Sequence, residues 1–132
     1  MTGLLNRILN HLAKIAKYAV VETGTNYNWK YKKYADGTYT ATYTLQHSSF
    51  NINQGPSAGE YYSGDIWVAN RPSFAKTVSG AIATPFGGTM SSGPRVYRIV
   101  VDANNAVRCQ FRAQASLSNV SVNVAYMIWG TW

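Results

Sequence analysis

NWKYKKYADGTYTATYTLQ, residues 28–46, decides how the rest of the chain is read. From Thr38 to Gln46 every second residue changes character. Tyr39, Ala41, Tyr43 and Leu45 fall on one face, and Thr38, Thr40, Thr42 and Thr44 on the other. Successive side chains of a strand point to opposite faces, so this is a strand with one face in a core. Asn28 to Tyr34 repeat the pattern, with Trp29 and Tyr31 on one face and Lys30, Lys32 and Tyr34 on the other. Ala35-Asp36-Gly37 joins the two, and the apolar pattern selects the register. A two-residue Asp-Gly loop sets Trp29 against Thr44 and Tyr31 against Thr42. A three-residue loop sets Trp29 against Tyr43 and Tyr31 against Ala41, pairing apolar with apolar. That predicts a type I turn with Gly37 left-handed, forming a bulge.

The same device recurs downstream. Tyr97, Ile99 and Val101 alternate, then Val107, Cys109, Phe111 and Ala113. A three-residue Ala103-Asn104-Asn105 loop pairs Val101 with Val107, Ile99 with Cys109 and Tyr97 with Phe111. Asn105 then takes the left-handed position, which asparagine tolerates. Cys109 becomes a buried small apolar group. The opposite face carries Arg98, Arg108, Gln110, Arg112 and Gln114. The closing SVNVAYMIWGTW is a strand with Val120, Val122, Val124, Tyr126 and Ile128 on one face. Between these hairpins, residues 46–93 are rich in Gly, Ser and Pro and read as short strands in long loops. Trp67, Val68, Phe74 and Val78 to Ile82 are the expected buried points there, and Gly87-Gly88 the tip of a loop. The whole reads as an antiparallel β-sandwich over residues 22–132.

Residues 1–21 differ. Leu5, Ile8, Leu12, Ile15 and Ala19 are spaced three and four apart, with Leu5, Leu12 and Ala19 at heptad a and Ile8 and Ile15 at d. Leucine at a with isoleucine at d leans toward trimers or tetramers. Leu4, Leu9 and Ala16 widen the apolar face, and Arg7, Lys14 and Lys17 lie opposite. Two heptads are too short to persist alone. Three uses fit: an oligomerisation stem, packing on the chain's own domain, or lying on a membrane. The heptad places the stem first.

The 132 residues make one domain plus this appendage, long enough to bury a core unaided. Twelve Lys and Arg against five acids leave a formal charge of +7, which favours nucleic acid, anionic lipid or acidic wall polymers as partners, or simply keeps the surface soluble. One cysteine rules out an internal disulfide and any cysteine-based zinc site. No apolar run spans a bilayer, and the N-terminal segment lacks a signal-peptide layout.

Catalytic constellations are missing. Glu60 and Asp65, the nearest acid pair, fall in a loop, where carboxylates are usually solvated. His11 and His47 share no ligand spacing, so each reads as a surface or capping residue. There is no G-x-S-x-G elbow and no phosphate-cradling glycine loop. The chain is read as a non-enzyme without cofactor or metal. Lys30, Lys32 and Lys33 among Tyr27, Trp29, Tyr31 and Tyr34 resemble a strand-tracking nucleic-acid surface, but the core needs Trp29 and Tyr31. For carbohydrate, Tyr61 and Tyr62 in GEYYSGD are the best loop aromatics, with Asp65, Asn70 and Arg71 close in sequence. Arg98, Arg108, Gln110 and Arg112 form a second surface, for an acidic polymer or a neighbouring subunit.

VVETGTNYNWKYKKYADGTYTATYT, residues 20–44, resembles the opening of a small β-domain found at the C-terminus of phage and prophage tail fibres and minor structural proteins. There an E-x-G, a W-x-Y-x-K and a D-G-T turn follow in order. Glu22, Gly24, Trp29, Tyr31, Lys33, Asp36, Gly37 and Thr38 match them. YYSGDIW, NRPSF and the closing Gly130-Thr131-Trp132 are similar in kind. The resemblance covers most of residues 20–132. It implies a virion protein that forms trimers, with a helical stem and a β-sandwich head of a kind that contacts host polysaccharide. Tail fibres carry this domain at the far end of a long chain, whereas here about five helical turns precede it. A small fibre attached to capsid or baseplate through its N-terminal helix fits that difference.

The expectation is therefore a trimeric virion fibre head, made in the host cytoplasm and released with the particle, that binds bacterial surface carbohydrate. A decoration protein without a ligand and a membrane-active basic helix fused to a β-domain are the alternatives.

Overall fold

The computed structural model describes residues 2–88 and 94–132. One helix, α1 (Thr2–Ala16), precedes ten strands: β1 (Val20–Asn26), β2 (Trp29–Tyr34), β3 (Thr38–Ile52), β4 (Gln54–Ser57), β5 (Glu60–Tyr62), β6 (Ile66–Asn70), β7 (Gly80–Gly88), β8 (Arg95–Val101), β9 (Ala106–Ala113) and β10 (Leu117–Thr131). They form two antiparallel sheets. The front sheet runs β1-β2-β3-β10-β7. In the back sheet β9 is central: β8 lies along one edge, and β5 and β6 follow one another along the other, with β4 outside β5.

The first hairpin has the expected register. Tyr31 pairs with Ala41 and Lys30 with Thr42. Gly37 has φ +86° and donates its N–H to the Tyr34 carbonyl. Asp36 fixes the turn by accepting from both the N–H and the hydroxyl of Thr38. The second hairpin closes as expected at Asn105, φ 65°, with Val101 on Val107 and Ile99 on Cys109.

The hairpin departs from expectation at Tyr97. A bulge between Val96 and Arg98 puts Val96, not Tyr97, opposite Phe111. A bulge adds a residue to one strand and reverses the facing of what precedes it, so Tyr97 is exposed. The sheet also begins earlier than residue 22. Val20 pairs with Tyr34, and Glu22 to Gly24 lie inside β1, which joins β2 through Tyr27-Asn28, both at positive φ. This two-residue geometry matches the twist of a hairpin. β3 continues to Ile52, well past Gln46.

One core fills the space between the sheets. The front sheet contributes Trp29, Tyr39, Ala41, Ile52, Val120, Val122, Val124, Tyr126 and Ile128, and the back sheet Val68, Val107, Cys109, Phe111 and Ala113. Two ties cross between elements. Trp29 Nε1 donates to the Asn70 carbonyl at 2.8 Å, and Tyr39 Oη to the Thr77 carbonyl at 3.0 Å. Val68 is buried, and Phe74 and Val78 pack against the core, as expected. Trp67 and Ile82 are instead exposed, because alternation turns them to the outer faces. Gly87-Gly88 ends β7 rather than forming a loop tip. The last residues of the Gly- and Ser-rich stretch, 89–93, lie outside the described residues.

Candidate functional site

Three features are candidates: the stripe of α1, the outer face of the back sheet and a polar cluster within the core. On α1, Leu5, Ile8, Leu12 and Ile15 are 48–55% exposed, and no helix residue is buried. Ala19 is not part of this stripe. The helix ends at Ala16, and Ala19 sits in the turn after it, with its carbonyl accepting from Ala35 N–H. The stripe is thus two a/d pairs on a helix about 22 Å long.

The back sheet takes its outer face from β9, which turns Val107, Cys109 and Phe111 inward and Arg108, Gln110 and Arg112 outward. Trp67 and Val100 flank Arg108, and Tyr62 and Arg95 flank Arg112. The bulge in β8 lays Tyr97 over Arg112, with the guanidinium carbon 3.6 Å from the ring centroid. Tyr62 lies on the guanidinium's far reach at 5.8 Å. Arg112 Nε is buried there without a hydrogen-bond acceptor among the described residues.

Carboxylates meet every arginine of this face. Arg95 pairs with Glu60 at 2.7 Å, Arg98 with Asp65 at 3.2 Å, Arg108 with Asp102 at 2.7 Å, and Arg112 reaches Glu60 at 3.8 Å. The Arg108 guanidinium, with the N–H groups of Ala106 and Asn104, holds the Asp102 carboxyl below its usual range. Four arginines against three carboxylates leave one formal positive charge on the face. Gln110, expected as a contact residue, is buried. What remains open is aromatic and polar: Trp67 at 49% and Tyr97 at 46% exposure, beside ion pairs that fix Glu60, Asp65 and Arg98. Flat apolar faces next to oriented charged hydrogen-bonding groups suit a sugar ring, which has an apolar C–H face and a rim of hydroxyls.

The structure divides the residues expected to bind carbohydrate. Tyr61 packs on the core, while Tyr62 and Asp65 lie on the outer face with Arg112 and Arg98. Asn70 and Arg71 are elsewhere. Tyr62 pairs with Arg112 and Asn70 with Ala106, so six residues of β9, about 20 Å, separate them. Asn70 and Arg71 border a separate hollow of about 240 Å³ with Tyr27, Ser73, Asn104 and Asn105. Trp67, Tyr97, Glu60 and Arg95 were missed. Alternation from Val68 would have turned Trp67 outward, but nothing in the sequence marks the bulge that exposes Tyr97.

His47 is the other correction. It lies within β3 and is 5% exposed, so it is neither a surface nor a capping residue. Its Nε2 is 2.6 Å from Tyr126 Oη, which is 3.0 Å from Cys109 Sγ. A neutral imidazole accepting at Nε2 from Tyr126, with Tyr126 accepting from the thiol, links the three groups in one chain of hydrogen bonds. The rings of Phe50 and Phe111 enclose the imidazole. Burial lowers the His47 pKa and pushes the Cys109 thiol up to about 11, which keeps the thiol un-ionised and unreactive at neutral pH. The imidazole's sign follows. At pH 7 both folded and unfolded chains hold it neutral. Below 6.5 the unfolded chain takes up a proton that the folded chain resists, so stability falls with pH. Thermal melts from pH 7 to pH 5 are expected to drop more steeply for the native chain than for His47→Phe. Parallel slopes would exclude His47 as the origin.

Among the described residues no group of His, Cys, Asp and Glu is placed to hold a metal ion, and no helix is long and apolar enough to cross a membrane. The chain matches no protein-family model, no characterised protein and no solved structure.

Proposed function

We propose that the chain is a non-enzymatic head-and-stem unit of a virion fibre, trimeric through α1, whose head binds cell-surface carbohydrate. The observation that carries this reading is the stripe of Leu5, Ile8, Leu12 and Ile15, half-exposed along the whole helix with none of it covered by the head. Apolar stripes of this kind are covered by another surface, and leucine at a with isoleucine at d favours three or four helices. So short a helix needs a second contact. The front sheet offers one in Ile82, Phe86 and Trp129, exposed along the outer face of β7 and β10. The virion setting rests on the resemblance of residues 20–132. The carbohydrate part rests on Trp67 and Tyr97 and the ion-paired groups between them.

Light scattering on the full chain, native and with Leu5, Ile8 and Leu12 all changed to Gln, tests the assembly. The native chain is expected at three times its 14.5 kDa mass and the variant at the chain mass, with unchanged strand circular dichroism because none of these side chains is buried. A native monomer at tens of micromolar overturns the fibre reading. A glycan array then tests the head, with Trp67→Ala expected to lose binding. A trimer that binds no glycan would be a decoration protein. Leakage from anionic vesicles would make α1 a membrane-active helix.

A further inference from the structure

We propose that the outer face of the front sheet is a second binding site, a groove for a linear polymer of polyol phosphate, with Lys30 and Lys32 as its charge partners. The proposal rests on the reading of the head as a cell-surface binding module and deepens it by naming an anionic ligand and its place.

The distribution of charge points there. Of the twelve lysines and arginines, Lys33, Arg95, Arg98, Arg108 and Arg112 are spent in ion pairs with Glu22, Glu60, Asp65 and Asp102. The arginine-rich back face, the obvious anion site from sequence, is thereby close to neutral. Arg7, Lys14 and Lys17 belong to the helical segment, and Arg71 and Lys76 to the stretch between β6 and β7. Lys30 and Lys32 remain as neighbouring cations on the head's sheets, both exposed and without an ion pair among the described residues. They are two residues apart on one face of β2, so their stems rise about 6–7 Å from one another.

The surface around them is a groove. Two adjoining hollows, of about 590 Å³ and about 430 Å³, share Thr25, Lys30 and Thr42 and run along β2 from Lys32 toward Asn28. Threonines set by strand register line them beside Tyr31, Tyr34 and Tyr43: Thr23 and Thr40 flank Lys32, and Thr25 and Thr42 flank Lys30. Among the described residues no carboxylate lines either hollow. An elongated trough with a row of hydroxyls and two ammonium groups fits a flexible chain that alternates hydroxyl-bearing units with phosphates. The ammoniums meet the phosphates, and the hydroxyls exchange hydrogen bonds with both. Nucleic acid fits less well. Of the aromatic residues that line the hollows, Tyr31 and Tyr43 pack against the core and Tyr34 Oη is held on Thr40 Oγ1 at 3.2 Å, so none of these three rings stands free to stack on a base. The groove lies on β1 to β3 and Ile82 and Phe86 lie on β7, on the same outer face with β10 between them, and Trp129 of β10 faces Thr40 at the groove's rim.

The test is titration calorimetry on the full chain at low salt with a synthetic glycerol-phosphate oligomer. Native protein is expected to bind, and Lys30→Gln with Lys32→Gln to weaken binding about tenfold, the scale of two exposed charge contacts. Arg95→Gln with Arg98→Gln is expected to leave affinity within about twofold, because those arginines already have partners. Three results would overturn the proposal: no binding, affinity unchanged in the lysine variant, or equal affinity for a single-stranded oligonucleotide of matched charge. Failure here is separable from failure of the fibre reading. Trimer mass and neutral-glycan binding through Trp67 are measured on the same lysine variant and do not involve the groove.

Discussion

Replacing Trp29 with Ala is expected to cost about 3–5 kcal/mol, the range for emptying a large aromatic site. Trp29 is 0% exposed, meets Tyr43 edge-on with centroids 5.8 Å apart, and ties the front sheet to the back through its bond to the Asn70 carbonyl. Domains of this size are stable by about 5–15 kcal/mol, so the loss takes a large share of the total. Trp29→Phe keeps most of the volume but leaves the Asn70 carbonyl without its donor. It is expected to cost about 1–3 kcal/mol. Urea unfolding of both variants checks the order, read from the midpoint at unchanged slope. If Trp29→Ala costs under about 1 kcal/mol, the two sheets do not depend on this tie.

Gly130→Ala is the second large effect, for a different reason. Gly130 faces Tyr39 across β3 and β10, and a methyl group on it would overlap the carbonyl oxygen of Thr77. That carbonyl belongs to a segment laid against the end of β10. Lys76 N–H and Thr77 N–H donate to the Thr131 carbonyl, Ser79 N–H to that of Trp129, and Tyr39 Oη to Thr77 itself. An added methyl has to push this backbone away and break several of these bonds together. The expected cost is on the order of 3 kcal/mol, the upper end for overpacking. Gly3→Ala is the control. Nothing lies within 4 Å of its added carbon, and alanine favours the helix, so the variant is expected to be neutral or stabilised by up to about 1 kcal/mol. Similar losses at both glycines would mean that backbone freedom, not the approach of Thr77, governs Gly130.

Both effects arise where strands distant in sequence meet, and the same boundary separates what was legible in the chain from what was not. The two three-residue hairpins, the register of the first and that of the second as far as Arg98, and the inward faces of β3, β9 and β10 could be read directly. Alternation and turn geometry are local, and a one-residue slip would have turned Tyr39, Val107 or Val124 to solvent. The exposed stripe of α1 was legible as a stripe, but its end at Ala16 was not, because Ala19 leaves the helix to bond Ala35 of the neighbouring strand pair.

Tertiary structure decided the rest. Period two assigns a residue to a face without saying what that face meets. The order of strands brings β3 over β9, and so seats His47 against Tyr126 and Cys109 instead of at the surface. The bulge in β8 exposes Tyr97. The placing of β5 and β6 end to end along β9 separates Tyr62 from Asn70 by the length of the strand. Charge was the least legible. A net of +7 follows from composition, but Arg95 finds Glu60 35 residues away and Arg98 finds Asp65 33 residues away. Only those pairings show that the arginines of the back face are largely neutralised and that Lys30 and Lys32 have no ion pair among the described residues, because ion pairing depends on distance in space and not on distance along the chain.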